Sequence, residues 1–133
     1  MKPILFIALT FYLACAACAQ NKQLTFTSED TIKLLCNKWM LVTMSIQGKS
    51  ANVPASKALY VTYKPGGNYT DSSARFGVID GSWNYDSTTQ ILSTTEKGGT
   101  SKAKIVKLDT NELIMKIEKP TVAMSVTYRR VDQ

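Results

Sequence analysis

Histidine is absent from this sequence. That removes the commonest general base and the commonest transition-metal ligand together. Of the three cysteines, Cys15 and Cys18 lie in an apolar leader, so Cys36 is the only one beyond it. A lone thiol makes no internal disulfide and no zinc site, and without histidine it lacks the usual activating base. Cys36 therefore reads as a small buried apolar residue. The acids Asp71, Asp80, Asp86, Asp109 and Glu112 are expected mostly in or beside turns, where short polar side chains satisfy backbone groups. Their spacing matches neither a glycosidase pair nor a calcium loop. "KPGGNY" (64–69) is glycine-rich, but it lies between strand-like runs and not before a helix, which argues against phosphate binding. The sequence thus offers no catalytic residue, metal ligand or cofactor motif, and the expectation is a protein that is not an enzyme.

What remains is an aromatic and methionine population. Tyr63, Tyr69, Trp83, Tyr85, Met115, Met124 and Tyr128 are candidate ligand-binding residues, because small-molecule sites are mostly apolar with a few polar tips. Tyr60, Met40 and Met44 belong to the same population. The competing reading is that these side chains simply fill a small core. In "GSWNYD" (81–86), Trp83 and Tyr85 stand two apart and so share one face of a strand, and Gly81 suits a close backbone approach.

The elements that must position them are nearly all strands. One short helix is predicted in "TSEDTIKLLC" (27–36), with Thr27 or Ser28 as N-cap, Glu29 and Asp30 in the first turn, and Ile32, Leu35 and Cys36 on one face. Strand patterns follow at 39–46, 59–64, 68–74, 81–86, 90–97, 102–109, 112–119 and 122–131, with loops at 47–58 and an irregular connection at 75–80. In the last of them Val122, Met124, Val126 and Tyr128 fall on one face. Eight short sequential strands remove their free edges by closing into an antiparallel up-and-down barrel. The predicted fold is therefore all-β, an eight-stranded barrel with one short N-terminal helix.

The first residues lie outside that fold. "MKPILFIALTFYLACAACA" has a positive start, an apolar run from Ile4 to Leu13 and small residues after it, the pattern of a secretory signal peptide. The partition expected is residues 1–19 as signal peptide, 20–27 as a linker and 28–133 as the barrel domain. Cleavage after Ala17-Cys18-Ala19 gives an exported chain, periplasmic or secreted. The alternative is a membrane-anchored lipoprotein lipidated at Cys18 or Cys15, although neither has a leucine three places upstream. Sixteen lysines and arginines against ten acids give a net charge of +6. The basic residues are scattered near turns and form no dense face, so no nucleic acid is expected as a partner.

A helix followed by "NKW" with Trp39 opening the first strand, then "YKPGGNYT", "GSW", and a terminal "YRR" together resemble the small lipocalin-like domains of exported bacterial proteins, especially in Bacteroidetes. The resemblance covers roughly residues 32–131. It departs from the lipocalin pattern at Asn37, where a glycine usually stands two places before the first-strand tryptophan. It implies a calycin-type barrel holding a small hydrophobic ligand. It also implies that Trp39 and Arg130 close the barrel, since lipocalins pack a terminal arginine over that tryptophan. Strand alternation places Arg130 inward and Arg129 outward in the same way. The functional expectation is an exported binding protein. Its alternative is a packed barrel that binds an envelope protein through loops 47–58 and 75–80.

Overall fold

The computed structural model describes residues 27–73, 77–119 and 121–132; the leader and its cysteines lie outside them. The helix α1 (Ser28–Leu35) begins at Thr27, whose hydroxyl accepts from the Asp30 amide at 3.3 Å and donates to the Asp30 carboxylate at 2.7 Å. Nine strands follow: β1 (Lys38–Ile46), β2 (Lys49–Asn52), β3 (Leu59–Tyr63), β4 (Asn68–Ser73), β5 (Gly77–Asp86), β6 (Ile91–Glu96), β7 (Gly99–Leu108), β8 (Glu112–Ile117) and β9 (Met124–Arg130). All neighbouring pairs are antiparallel. The eight strands β1 and β3 to β9 close through the β1–β9 ladder into the barrel that the sequence predicts.

Two stretches differ from the sequence reading. Residues 47–58 are not all loop: β2 folds back on β1 through a two-residue turn in which Gln47 (φ 51°) and Gly48 (φ 78°) are both left-handed, as a tight hairpin requires. The strand β1 therefore has a divided edge. Lys38–Met40 pair with β3, while Thr43–Ile46 pair with β2. The second difference is that Gly77–Asp80 are not irregular but form the first half of β5, paired with β4 from Ser73↔Gly77 to Asn68↔Ser82. Ladder hydrogen bonds to β4 hold this stretch extended, even though its own side chains, Val78 and Ile79 among them, are exposed.

Two bulges reset the inward face. The β1–β9 register shifts between Leu41 and Thr43, leaving Val42 as the extra residue. The inward series Trp39, Leu41 then continues at Met44, which packs on the core. On β7 the shift lies between Ile105 and Lys107, so Ala103, Ile105 and Leu108 are buried and Val106 is 54% exposed. Lys107 is thereby turned outward to pair with Glu112 at 2.8 Å and Asp109 at 3.5 Å.

The helix closes one end of the barrel. Leu35 and Trp39 have no exposure, and Leu113 (also fully buried) and Leu108 complete that floor. The docking face of α1 is Thr31 and Leu35 rather than Ile32, which is 38% exposed. Asn37, at the position where lipocalins usually have glycine, ends the helix by donating its side-chain amide to the Leu34 carbonyl at 2.9 Å. Cys36 is half-buried, and burial raises its thiol pKa, which keeps the thiol protonated and poorly nucleophilic.

Candidate functional site: the barrel interior

Above the floor, the inward residues are Leu41, Val61, Tyr63, Tyr69, Leu92, Ile105, Met115, Val126 and Tyr128, all buried. Toward the far end the inward positions become half-buried: Met44, Leu59, Asp71, Ser73, Glu96, Ile117 and Met124. Burial thus falls from the helix end to the opposite end along these faces, except on β5, where Trp83 and Tyr85 are half-buried at the helix end.

Tyr63, Tyr69 and Trp83 meet as an aromatic group. The Tyr63 and Tyr69 rings lie 5.5 Å apart, and Trp83 stands edge-on to Tyr63 at 5.8 Å. Trp83 has a second role at the β3–β4 turn. In Lys64-Pro65-Gly66-Gly67, Gly66 (φ 88°) takes the left-handed position after proline, as a type II turn demands. The Trp83 indole donates to the Lys64 carbonyl at 2.9 Å, and its amide donates to the Gly67 carbonyl at 2.8 Å. Trp83 therefore ties β5 to this turn beyond the end of β4. Tyr85 shares its inward face and is half-buried.

The polar part of the interior centres on Asp71. It faces inward on β4, opposite Val61 and Ile79 in the ladders, and accepts a hydrogen bond from the Tyr69 hydroxyl at 3.2 Å. This corrects the expectation that the acids sit in turns. Asp86 and Asp109 do so: their Oδ1 atoms accept turn amides at 2.8–3.4 Å, which lowers both pKa values. Asp71 is different. Burial raises its pKa, the Tyr69 hydrogen bond opposes that shift, and the charge of Glu96 adds to it. Glu96 faces inward on β6 beside Gly81, where a β-carbon would sit 3.2 Å from Glu96 Cγ. Tyr63, Tyr69 and Tyr128 have pKa values pushed up first by burial and then by charged or titratable neighbours, Asp71 among them. All three stay neutral hydrogen-bond donors at physiological pH.

Among the described residues, the Tyr63 and Tyr128 hydroxyls make no hydrogen bond, although these residues are only 3% and 9% exposed. No side-chain oxygen is at once sealed and unpartnered. Both hydroxyls therefore keep some solvent-accessible surface.

Of the residues expected from sequence, the structure brings Tyr63, Tyr69 and Trp83 into one aromatic group, and Tyr69 of that group hydrogen-bonds Asp71. Met115 is buried one layer away beside Val126, and Met124 stands at the rim opposite Ile117 and Ile46. Arg130 is the ladder partner of Trp39, as the closed barrel requires, and its side chain is exposed, as is that of Arg129. The sequence reading missed Asp71 and Glu96. The alternation Tyr69, Asp71 in "NYTD" and Leu92, Thr94, Glu96 in "ILSTTE" carries the signal that places both inward.

Outside the barrel, a groove of about 290 Å³ lies between the short 3₁₀ turn Ala55–Lys57 and the β4–β5 region, with Tyr60, Ser72, Gly77 and Val78 among its lining. It joins the two regions, 47–58 and 75–80, proposed from sequence as a protein-binding face. Among the described residues, no group of three His, Cys, Asp or Glu side chains could hold a metal ion.

Comparison with solved structures yields a lipocalin-like protein from Bacteroides uniformis, which superposes with a TM-score of 0.57 over 73% of this chain and 98% of its own, at 15% identity. The fold is lipocalin-like. No family model and no curated protein matches the sequence. The fold by itself assigns no function; what the barrel does is set by the side chains it carries. None of the described helices is long and apolar enough to cross a membrane.

Proposed function

We propose that this protein binds a small ligand inside its lipocalin-like barrel and does not transform it. The observation that carries the reading is the pair of buried tyrosine hydroxyls, Tyr63 and Tyr128, that reach accessible space without a partner. Buried polar groups are normally hydrogen-bonded, so unpartnered donors on inward-facing residues are groups that a ligand can satisfy. The aromatic faces of Tyr63, Tyr69 and Trp83 and the apolar rim of Leu59, Ile117 and Met124 supply the contact area around them. The absence of histidine supports binding over catalysis, since it removes the commonest general base. The leader pattern of residues 1–19 supports export, which makes the cell envelope or its surroundings the place of action.

Native mass spectrometry of protein purified from its own host tests this reading. A stoichiometric small molecule that is lost on denaturation is expected. Titration of the apo protein with that molecule is expected to change tryptophan fluorescence, because Trp83 packs on Tyr63. The outer groove favours a second reading, a protein partner docked over Tyr60 and Val78. Under it, Val78→Asp abolishes complex formation while leaving small-molecule binding intact.

A further inference from the structure

Two inward tyrosines, Tyr63 on β3 and Tyr128 on β9, are more than nine-tenths buried. Among the described residues, neither hydroxyl has a hydrogen-bond partner. Each keeps some solvent-accessible surface, so water can serve it while no ligand is bound. A ligand that fills the barrel displaces that water. A purely apolar one leaves the phenolic donors unsatisfied, which opposes binding, whereas a ligand oxygen within reach restores the bond.

The same interior does not suit an anion. Every described lysine and arginine is exposed except Lys38. Lys38 belongs to the outer face: its ammonium lies 4.8 Å from the centre of the Tyr60 ring, and both residues alternate with the inward Trp39 and Val61. Arg130 alternates with the inward Tyr128, but it lies level with Trp39 at the helix end, where its side chain is exposed. The charged side chains on inward strand positions within the barrel are instead the carboxylates Asp71 and Glu96, both half-buried. Asp71 accepts from the Tyr69 hydroxyl at 3.2 Å, and the Tyr69 ring lies 5.5 Å from that of Tyr63. A ligand carboxylate seated at Tyr63 would therefore stand one side chain away from a fixed negative charge. It would lose its hydration and gain no counter-ion.

We infer that the barrel selects uncharged amphiphiles, with a carbonyl-type oxygen accepting from the Tyr63 or Tyr128 hydroxyl and an apolar body against Tyr69 and Trp83, and that it discriminates against carboxylates. This rests on the ligand-binding reading above and names the ligand's chemical class. Trp83 stands edge-on to Tyr63 at 5.8 Å and completes the apolar contact. At the far end the inward residues Leu59, Ile117 and Met124 are only half-buried, so solvent reaches these faces from the end opposite the helix.

Three probes of one shape separate the outcomes: 4-phenylbutan-2-one, isopentylbenzene and 3-phenylpropionate, titrated by calorimetry at pH 7. The wild-type protein is expected to bind the ketone at least about tenfold more tightly than the carboxylate. In the double variant Tyr63→Phe, Tyr128→Phe the ketone should weaken by about tenfold, as one lost hydrogen bond to a buried donor implies. The hydrocarbon should bind that variant as tightly as wild type or more so, because no hydroxyl is left stranded. Tyr60→Phe, which removes a hydroxyl from the outer face, should change none of the three affinities. Asp71→Asn should raise the affinity for the carboxylate and leave that for the ketone unchanged. Carboxylate binding to wild type as tight as that of the ketone would overturn the inference and leave the binding reading standing. So would an unchanged ketone affinity in the folded double variant. No binding of any probe would overturn both. The wild-type comparison needs no variant, so it decides the ligand class even where a substitution fails to fold.

Discussion

The Trp39 indole donates to the Leu35 carbonyl at 3.0 Å, in a place where neither residue has any exposure. The same carbonyl accepts the Asn37 amide at 2.6 Å. A helix of eight residues has little stability of its own, and this bond anchors its last turn to the first strand. Trp39→Phe is expected to cost about 1–2 kcal/mol, since the carbonyl keeps one donor and part of the ring volume is lost. Trp39→Ala is expected to cost about 3–5 kcal/mol. Denaturant midpoints measure both, and equal losses would show that the indole N–H and ring size are immaterial.

Asp71 gives the fold a pH dependence of definite sign. Its folded pKa is raised above the ordinary carboxylate value, chiefly by burial. Below that ordinary value, about 3.9, it is protonated in both folded and unfolded chains and costs nothing. As pH rises, the unfolded chain ionises first, so stability falls until the raised folded pKa is passed. Asp71→Asn should therefore melt at a higher temperature than wild type at pH 7, with the gap closing toward pH 3. The difference between the two proteins isolates Asp71 from Asp86 and Asp109, whose lowered pKa values act in the opposite direction. A variant less stable than wild type at pH 7 would contradict a net cost of ionising Asp71 in its buried place.

Gly81 is constrained by its surroundings rather than by its own dihedrals. A β-carbon at this position would collide with the Thr95 backbone carbonyl and press on the Glu96 side chain. Backbone cannot move aside as a flexible side chain can. Gly81→Ala is expected to destabilise by about 1–3 kcal/mol. Gly98→Ala, where an added carbon meets nothing within 4 Å, is the control and should be near neutral in the same urea titration.

Arg130 faces Trp39 across the closing ladder, but its side chain is exposed like that of Arg129. Its backbone amide, which donates to the Asn111 carbonyl at 2.9 Å, is unaffected by side-chain truncation. Arg130→Ala and Arg129→Ala are each expected to change stability by no more than about 0.5 kcal/mol. A loss above about 1 kcal/mol at Arg130 alone would show that its guanidinium packs over the Trp39 indole in solution, as the lipocalin resemblance implies.

Much of this protein is determined locally and can be read from the sequence. The Thr27 cap, the Pro65-Gly66 turn, the alternation burying Val126 and Tyr128, and the closure of eight short strands all follow from side-chain type and spacing. The aromatic members of the site follow from the same alternation. Other features are decided only between strands. A bulge depends on how two ladders fit together, so nothing within "WMLVTM" marks Val42 as the extra residue that turns Met44 inward. The bulge at Val106 likewise exchanges Lys107 for Leu108 on the inner face. Gly77–Asp80 is a strand because β4 supplies its hydrogen bonds; Val78 and Ile79 suit a strand, but Gly77 and Asp80 on either side hid it from the sequence pattern. Asp71 and Glu96 are 25 residues apart in sequence, and a polar residue on a strand looks the same whether it faces water or a lumen. Barrel closure turns both carboxylates inward, Asp71 onto the Tyr69 hydroxyl and Glu96 beside Gly81, and that arrangement exists only in three dimensions.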